Sequence, residues 1–295
     1  MAGAVLAMGA TGEVGRRVLA GLRARQEPVR GASRDPGRAS TRDHGEWVGL
    51  DLERPETFAT ALQGVDRLFL MARPGDDHPD RLAGPLIDAA RSAGVRHVVN
   101  LTAMGVEREP EFGLRRVELL LESSGLDFTH LRPNFFMQIF AVPPLLPAIL
   151  ATRTIRLPTA DARLSFVDTR DIADVAVAAI TEGRHRNVAY TLTGPESLDH
   201  DDVARHLSAA AGVGIGYQPL SDDEARASLA AAGLGPERVE RLIGFYRRVR
   251  AGTCAPVSGD VEAVLARRPR SFAAFAADYA NCWRAAPAGE RESQG

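Results

Sequence analysis

Three glycines near the start of the chain, Gly9, Gly12 and Gly15, stand at every third position directly after the apolar run 5–8. If that run is a strand, the first glycine permits a sharp turn and the second lets backbone approach a pyrophosphate. The third lets the following helix pack closely on the sheet. The free N–H groups and positive dipole end of that helix then favour bound phosphate. A second strand pattern follows at 28–33, so the sequence predicts a dinucleotide site at this turn.

The end of the second predicted strand bears on which dinucleotide is bound. A free ribose 2′-hydroxyl usually meets an Asp or Glu at this place, whereas a 2′-phosphate needs a cation. Here Ser33 ends the strand, and Arg34 and Arg38 follow. Because a guanidinium can bind phosphate through two hydrogen bonds and stack on adenine, the pattern predicts NADP(H) in preference to NAD(H). The alternative is that both arginines are solvated surface charges, and the nearby Asp35 keeps it open.

Two later strand ends carry further candidates. Asp51, with Leu52 beside it, ends the third predicted strand and is expected to meet the adenine edge; alternatively, Asp51 caps the helix predicted at 55–62. His78 lies in the loop after the fourth strand, which is beside the cofactor in this fold type. It could reach a substrate, or it could be a solvated surface histidine.

Strands and helices alternate over the first 131 residues, which predicts an α/β fold with a doubly wound, Rossmann-type parallel sheet. We predict strands at 5–8, 28–33, 47–52, 65–72, 96–101, 127–131, 164–167 and 187–193. Helices are predicted after Gly12, at 55–62, 85–93, 112–123 and 168–180, and then at 201–211, 222–232, 236–250, 258–266 and 271–283.

This pattern predicts two domains. Residues 1–155 form the Rossmann domain, and 164–193 return to it. A smaller, mainly helical C-terminal substrate lobe spans 194–285, and 135–163 contribute to the cleft. We expect the substrate between the lobes.

Composition limits the partners. The 295 residues are 45% hydrophobic, enough for a sizeable core, and the net charge of −2 gives no attraction to nucleic acid or an anionic membrane. The longest apolar stretch, 135–150, contains three prolines and is predicted to be a buried loop or a pocket wall, not a membrane span. Cys254 and Cys282 lack metal-site spacing. The sequence therefore predicts a cytoplasmic protein without a metal, acting on a small molecule, with homo-oligomerisation left open.

The chain contains no lysine, since all 36 of its Lys and Arg residues are arginines. Heavy use of Ala, Arg and Gly is typical of a high-GC genome, and such a sequence is compatible with specialised metabolism. A catalytic lysine is excluded.

Several motifs together resemble the NmrA-like branch of the atypical short-chain dehydrogenase/reductases over nearly the whole chain. The segments that carry the resemblance are 9–15, 32–36, 124–136, 166–173, 190–196 and 269–272. This resemblance implies the expected fold, an NAD(P)H cofactor and a set of site residues.

The implied roles follow the motifs. Gly9, Thr11, Gly12, Glu13 and Val14 would form the pyrophosphate turn, and Arg34 would contact the 2′-phosphate. Along the ribose and nicotinamide we expect Met71, Ala72, Pro74, Thr102, Pro133, Asn134 and Phe135. The predicted substrate contacts are Met104, Phe136, Met137 and His78, with core packing as an equal alternative for Met137.

The chain departs from the superfamily at the proton donor. The usual tyrosine and lysine, one helical turn apart, would fall near the helix at 112–123, where Pro110 and Leu114 stand. All four tyrosines come after residue 189, so the standard relay is absent. Some members of the family without it still reduce substrates, whereas others only sense the redox state of the cofactor.

The sequence therefore predicts an NADPH-dependent reductase of a small conjugated or aromatic substrate: a quinone, enone, imine or ketone. Such acceptors delocalise the incoming charge, so water can protonate them after hydride transfer. Thr102 or Asn134 could hydrogen-bond the acceptor oxygen. The alternatives are a non-catalytic redox sensor and a non-redox isomerase or cyclase.

Overall fold

The computed structural model describes residues 3–41, 45–72, 76 and 78–284. The chain divides into two compact units, each built from three segments. Unit 1 comprises residues 1–134, 169–192 and 258–268; unit 2 comprises 135–168, 193–257 and 269–295. Residues 135–155 thus fall in unit 2 and 258–268 in unit 1, unlike in the predicted division.

The strands are β1 (Ala4–Ala7), β2 (Val29–Ser33), β3 (Trp47–Gly49), β4 (Val65–Met71), β5 (His97–Leu101), β6 (Asp127–Pro133), β7 (Thr154–Leu157), β8 (Val188–Leu192) and β9 (Gly216–Pro219). Unit 1 holds a seven-stranded sheet in the order β3-β2-β1-β4-β5-β6-β8, and every neighbouring pair is parallel. The prediction of a doubly wound parallel sheet is confirmed. In unit 2, β7 and β9 form a separate parallel pair.

The helices are α1 (Glu13–Ala24), α2 (Pro36–Ser40), α3 (Phe58–Leu62), α4 (Pro79–Ser92), α5 (Gly113–Ser123), α6 (Leu145–Thr152), α7 (Thr169–Thr181), α8 (His200–Ala211), α9 (Asp222–Ala231), α10 (Pro236–Arg250), α11 (Asp260–Leu265) and α12 (Phe272–Asp278). Within the described part of the chain, every helix is too short or too polar to cross a bilayer.

The core of unit 1 follows from the apolar pattern of its strands. All five residues of β5 are buried, as expected for a parallel strand covered on both faces. In α1 the buried positions Val14, Val18 and Leu22 recur at helical spacing and lie on one side of the helix.

Unit 2 has its own aromatic core. The rings of Phe140, Phe166 and Phe272 meet edge to face at 5.6–5.7 Å, and Phe272 packs on Phe275 at 5.4 Å. The indole N–H of Trp283 donates to the Phe140 carbonyl at 2.8 Å, which satisfies the polar atom of a completely buried ring.

Three predicted elements differ from the structure. Helix α4 begins at Pro79, and Pro85 lies inside it, because burial of Leu86 and Ile87 outweighs one lost backbone hydrogen bond. The predicted strand at 164–167 makes only isolated bridges. The stretch predicted as a loop at 135–150 includes most of α6, whose prolines precede the helix or lie in its first turn.

Candidate functional site

The glycine turn lies at the centre of the sheet, where strand order reverses. Strand β1 stands between β2 and β4, so the chain leaves it at the switch point where such sheets bind ligands. Gly9 adopts φ +61°, which favours glycine, and the Gly12 N–H donates to its carbonyl at 2.8 Å. A Cβ on Gly15 would lie 2.2 Å from the Gly9 oxygen. The spacing is therefore required by close contact between the turn and α1.

A cavity of about 490 Å³ opens beside this turn. Ten predicted cofactor residues line it: Gly9, Thr11, Gly12, Ser33, Arg34, Arg38, Asp51, Leu52, Met71 and Ala72. Sequence reasoning missed Met8, Ala32, Asp35, Ala39 and Leu50, which also line it. The signal for Met8, Ala32, Asp35 and Leu50 was position alone, at or just after the ends of β1, β2 and β3, whereas Ala39 lies in α2. Pro74, also predicted here, lies outside the described residues.

Arg34 and Arg38 present open cations to this cavity. Both side chains are exposed, and neither forms an ion pair or a side-chain hydrogen bond with another described residue. The Asp35 carboxylate accepts the backbone N–H of Arg38 at 2.9 Å, so it serves as the N-cap of α2. The acid next to the two arginines is therefore engaged locally, and the guanidinium groups remain open for an anion.

Asp51 lines the cavity and does not cap the predicted helix at 55–62, since the N-caps there are Arg54 and Thr57. Its carboxylate accepts the backbone N–H of Glu53 at 3.1 Å in a local turn, while the residue also lines the cavity. Met71, at the end of β4, lies close to Gly9: if Gly9 carried a Cβ, that atom would lie 2.0 Å from the Met71 Cε. The end of β4 thus packs against the turn.

Glu13, the first residue of α1, turns its side chain to neighbouring donors. Its carboxylate accepts from Arg17 Nε at 3.0 Å and from the Thr169 hydroxyl at 3.1 Å. Burial opposes ionisation, but hydrogen bonds from Arg16 and Arg17 outweigh it and hold the pKa of Glu13 below its ordinary value. Val14 is 3% exposed and packs in the core. The contacts that Glu13 and Val14 can offer a phosphate are therefore their backbone N–H groups.

Thr102 is not a free donor. Its hydroxyl donates to Glu118 Oε1 at 2.9 Å, and both residues are buried. Arg132 binds both Glu118 oxygens at 2.9 and 2.8 Å, and Arg115 binds Oε2 at 2.8 Å. Burial opposes ionisation, but these arginines hold the pKa of Glu118 below its ordinary value. In this arrangement the hydroxyl proton is committed to a carboxylate, so donation from Thr102 to a substrate oxygen would require the bond to Glu118 to break.

Glu118 was missed by sequence reasoning, although an acid on the apolar face of α5 beside Val117 and Leu121 was a signal. Within the described ranges, Glu118, Glu122 and His130 place one ligand atom each within 4.8 Å of one another. The two oxygens of Glu118 already receive donors from Thr102, Arg132 and Arg115. This cluster is therefore an ion network and not a cation site.

The ends of β5 and β6 are joined by backbone hydrogen bonds. Met104 N–H donates to the Pro133 carbonyl at 2.9 Å, and Asn134 N–H donates to Leu192 at 2.9 Å. Pro133 and Asn134 are buried, and Met104 is half-buried. These bonds fix the carboxyl end of β6, where the nicotinamide border was predicted.

The predicted substrate residues behave differently from one another. Phe135 and Phe136 are half-buried in unit 2, whereas Met137 is 1% exposed and packs in the core. Met137 is thus a packing residue, the alternative that the sequence left open. The ring of Phe135 stacks on Phe245 of α10 at 5.5 Å, a partner that sequence reasoning missed. His78 is exposed, lies outside the cavity lining and approaches Arg116 at 3.4 Å.

A parallel sheet with a glycine turn at its switch point and a cavity beside it defines a Rossmann-type dinucleotide-binding protein. Residues 9–183 match the family described as NAD(P)H-binding. An NAD(P)H azoreductase of Xenophilus azovorans is 32% identical over 288 residues, which cover 96% of this chain and 100% of that protein. The chain belongs to the NmrA-like, NAD(P)H-binding family of atypical short-chain dehydrogenase/reductases, and it is an NAD(P)H-dependent oxidoreductase.

Two further proteins are similar along nearly their full length. A (4-alkanoyl-5-oxo-2,5-dihydrofuran-3-yl)methyl phosphate reductase of Streptomyces griseus is 35% identical over 288 residues, covering 95% of this chain and 99% of that protein. The crystal structure of Citrobacter sp. triphenylmethane reductase complexed with NADP(H) has a TM-score of 0.81 at 23% identity. It covers 94% of this chain and 99% of that chain, and shares the fold.

Proposed function

We propose that this protein is a cytoplasmic reductase that prefers NADPH over NADH and transfers hydride to a small conjugated or aromatic acceptor. The observation that carries the proposed cofactor preference is that Arg34 and Arg38 are exposed at the cavity and form no ion pair with any residue that the structure describes. A 2′-phosphate gains charge-assisted hydrogen bonds there, whereas a 2′-hydroxyl gains little. Two widely separated cysteines are typical of a reducing compartment.

The residues of unit 1 fit the cofactor. The backbone of the glycine turn and the first turn of α1 would hold the pyrophosphate, because the N–H groups at the start of a helix favour an anion. Arg34 and Arg38 would bind the 2′-phosphate, and Met71 would lie along the ribose. The bound cofactor supplies the hydride, and the protein supplies orientation and a shielded site.

The acceptor class follows from chemistry and from the relatives. An azo group and an acyl-substituted unsaturated lactone are both conjugated electrophiles, and these occur in the names of the two curated relatives. Such acceptors spread the charge that hydride brings. The half-buried rings of Phe135 and Phe136 support an aromatic or flat ligand in unit 2. Asn134 is the proposed amide donor to the acceptor, and Thr102 has no such role.

The test is cofactor oxidation by the purified protein with a panel of quinones, azo dyes, enones, imines and ketones. We expect turnover with at least one class, and a higher kcat/KM for NADPH than for NADH. Absence of turnover with every class contradicts the proposal. A redox sensor would instead bind the reduced and oxidised cofactors with different affinities and oxidise neither. An isomerase or cyclase would transform its substrate without net cofactor oxidation.

A further inference from the structure

The chain lacks the usual tyrosine of the superfamily, but one of its four tyrosines has a free hydroxyl. Tyr190 bonds His185 at 2.8 Å, and Tyr217 bonds Thr159 and two backbone carbonyls at 3.0–3.2 Å. Tyr279 is engaged as well. The hydroxyl of Tyr246 makes no hydrogen bond to any residue in the described ranges, and it is not among their buried unpaired polar atoms. It is therefore open to solvent or to a ligand.

The position of Tyr246 on α10 directs it inward. Buried residues Val239, Ile243 and Val249 mark the inward face of this helix. At about 100° per residue, Tyr246 lies roughly 20° from Val239 and roughly 60° from both Ile243 and Val249. Yet Tyr246 keeps partial exposure and is not among the described members of either apolar cluster of unit 2. Tyr246 therefore lies on the inward side of α10 without being fully buried in either cluster.

The neighbours of Tyr246 connect it to the predicted substrate wall. Its ring lies 5.8 Å from that of Phe245, at 55°. Phe245 stacks at 5.5 Å and 20° on Phe135, which directly follows the end of β6. The three rings form a continuous aromatic surface within unit 2, and Tyr246 supplies its phenol.

We propose that Tyr246 is the proton donor of the reductase, with its hydroxyl contacting the acceptor held on the Phe135–Phe245 surface. This inference rests on the proposed function. Hydride brings an electron pair to the electrophilic atom, and the acceptor gains one negative charge. The Tyr246 O–H bond breaks as an N–H or O–H bond forms on the acceptor. The tyrosinate then regains a proton from water, which balances the reduction.

The surroundings of Tyr246 suit a donor. Burial raises its pKa above the ordinary value near 10, so the phenol is protonated at neutral pH. An azo group or a simple ketone that has accepted hydride is a far stronger base than tyrosinate, so proton transfer from Tyr246 to it is favourable.

The experiment compares Tyr246→Phe with the wild type on two kinds of acceptor. A simple ketone or an azo dye must gain a proton as hydride is transferred, whereas a triarylmethyl cation becomes neutral with hydride alone. General acids contribute about 100-fold or more, so we expect kcat for the proton-requiring acceptor to fall about 100-fold. The kcat of the variant for the triarylmethyl cation should stay within twofold of the wild-type value. Buffer acid should accelerate the variant and not the wild type, because it replaces the missing phenol.

Tyr190→Phe is the matched control, since it removes a half-buried hydroxyl that is bound to His185. It should leave both reactions unchanged. An active wild type with an equally active Tyr246→Phe variant overturns the assignment of Tyr246 alone. An equal loss on both acceptors, or no response to buffer acid, also overturns it, because it indicates a structural role. If the wild type does not reduce the triarylmethyl cation, the assignment is decided by whether buffer acid accelerates Tyr246→Phe and not the wild type. A wild type inert towards every acceptor overturns the proposed function and this inference together.

Discussion

At the scale of the residue, the proposed preference for NADPH rests on two arginines that have no partner among the described side chains. Many of the described arginines form an ion pair with an acidic side chain, as Arg132 does with Glu118. Arg34 and Arg38 are exposed beside the cavity and uncommitted. Both guanidinium groups can therefore form hydrogen bonds with a bound phosphate.

We predict that Arg34→Ala raises the Kd for NADPH about 10- to 100-fold, since a hydrogen bond to a charged group is worth roughly 1.5–3 kcal/mol. The Kd for NADH should change little, because its ribose carries no 2′-phosphate. Fluorescence titration with both cofactors measures this. Arg247→Ala, which removes an ion pair with Asp222 in unit 2, is the control. Equal weakening of both cofactors would count against the phosphate contact.

The hydroxyl of Thr102 gives a second prediction at this scale. Because it donates to Glu118, Thr102→Val should cost about 1–3 kcal/mol of stability by leaving a buried acceptor short of one donor. Turnover should fall less than threefold. Urea unfolding and kcat measure the two effects, with Thr102→Ser as the conservative control. A tenfold loss of kcat at unchanged stability would restore the catalytic role predicted from the sequence.

At the scale of the element, the turn between β1 and α1 depends on contact that no side chain permits. We predict that Gly15→Ala abolishes cofactor binding and lowers stability by more than 2 kcal/mol, since its Cβ would lie 2.2 Å from the Gly9 oxygen. Gly244→Ala in α10 meets nothing within 4 Å and should stabilise the protein by about 0.5–1 kcal/mol. Calorimetry and cofactor titration measure both variants. Similar effects from the two substitutions would refute the steric explanation.

Elements with a strong apolar period could be predicted, and those decided by tertiary contacts could not. Strand β5 and helix α1 bury a regular set of residues, so their sequences alone identify them. The β7 and β9 strands are only four residues each and pair across 58 or more residues of chain, which leaves no local signal. Pro85 was interpreted as the start of a helix, although packing carries α4 through it.

At the scale of the whole molecule, three buried histidines make stability depend on pH. Burial lowers the pKa of His97, His130 and His200 from 6.5 to about 4 each. Below pH 6.5 the unfolded chain binds protons that the native chain does not, so stability falls as pH drops from 6.5 to about 4. Each histidine contributes a loss of roughly 3 kcal/mol at most.

We predict that His130→Leu reduces this acid sensitivity, because neither ring nitrogen of His130 has a hydrogen-bond partner among the described residues. The free energy of unfolding, measured in urea at several pH values, should fall less steeply for the variant than for the wild type. His78→Leu, at an exposed position, should retain the wild-type slope. Parallel curves for His130→Leu and the wild type would exclude His130 as a source of the effect.

The candidate site, like the fold, has residues that sequence spacing predicts and contacts that depend on tertiary packing. The cavity beside the glycine turn is lined mainly by residues at or shortly after the ends of strands, so spacing predicted ten of its lining residues. Thr102 and Glu118 meet across 16 residues, and Phe135 and Phe245 across 110, so these pairs depend on how whole elements pack. The residue types indicate what chemistry these side chains can do, but the sequence does not indicate which residues they contact.

The three-segment layout of unit 1 has a consequence for biosynthesis. Its β6 strand pairs with β8 at 188–192, and its last segment ends at residue 268. When only the first 134 residues have emerged from the ribosome, the nascent chain therefore has an unpaired sheet edge at β6 and lacks α7. Folding of the nucleotide-binding sheet must wait until most of the polypeptide has emerged, so the nascent chain would rely on holdase protection during translation.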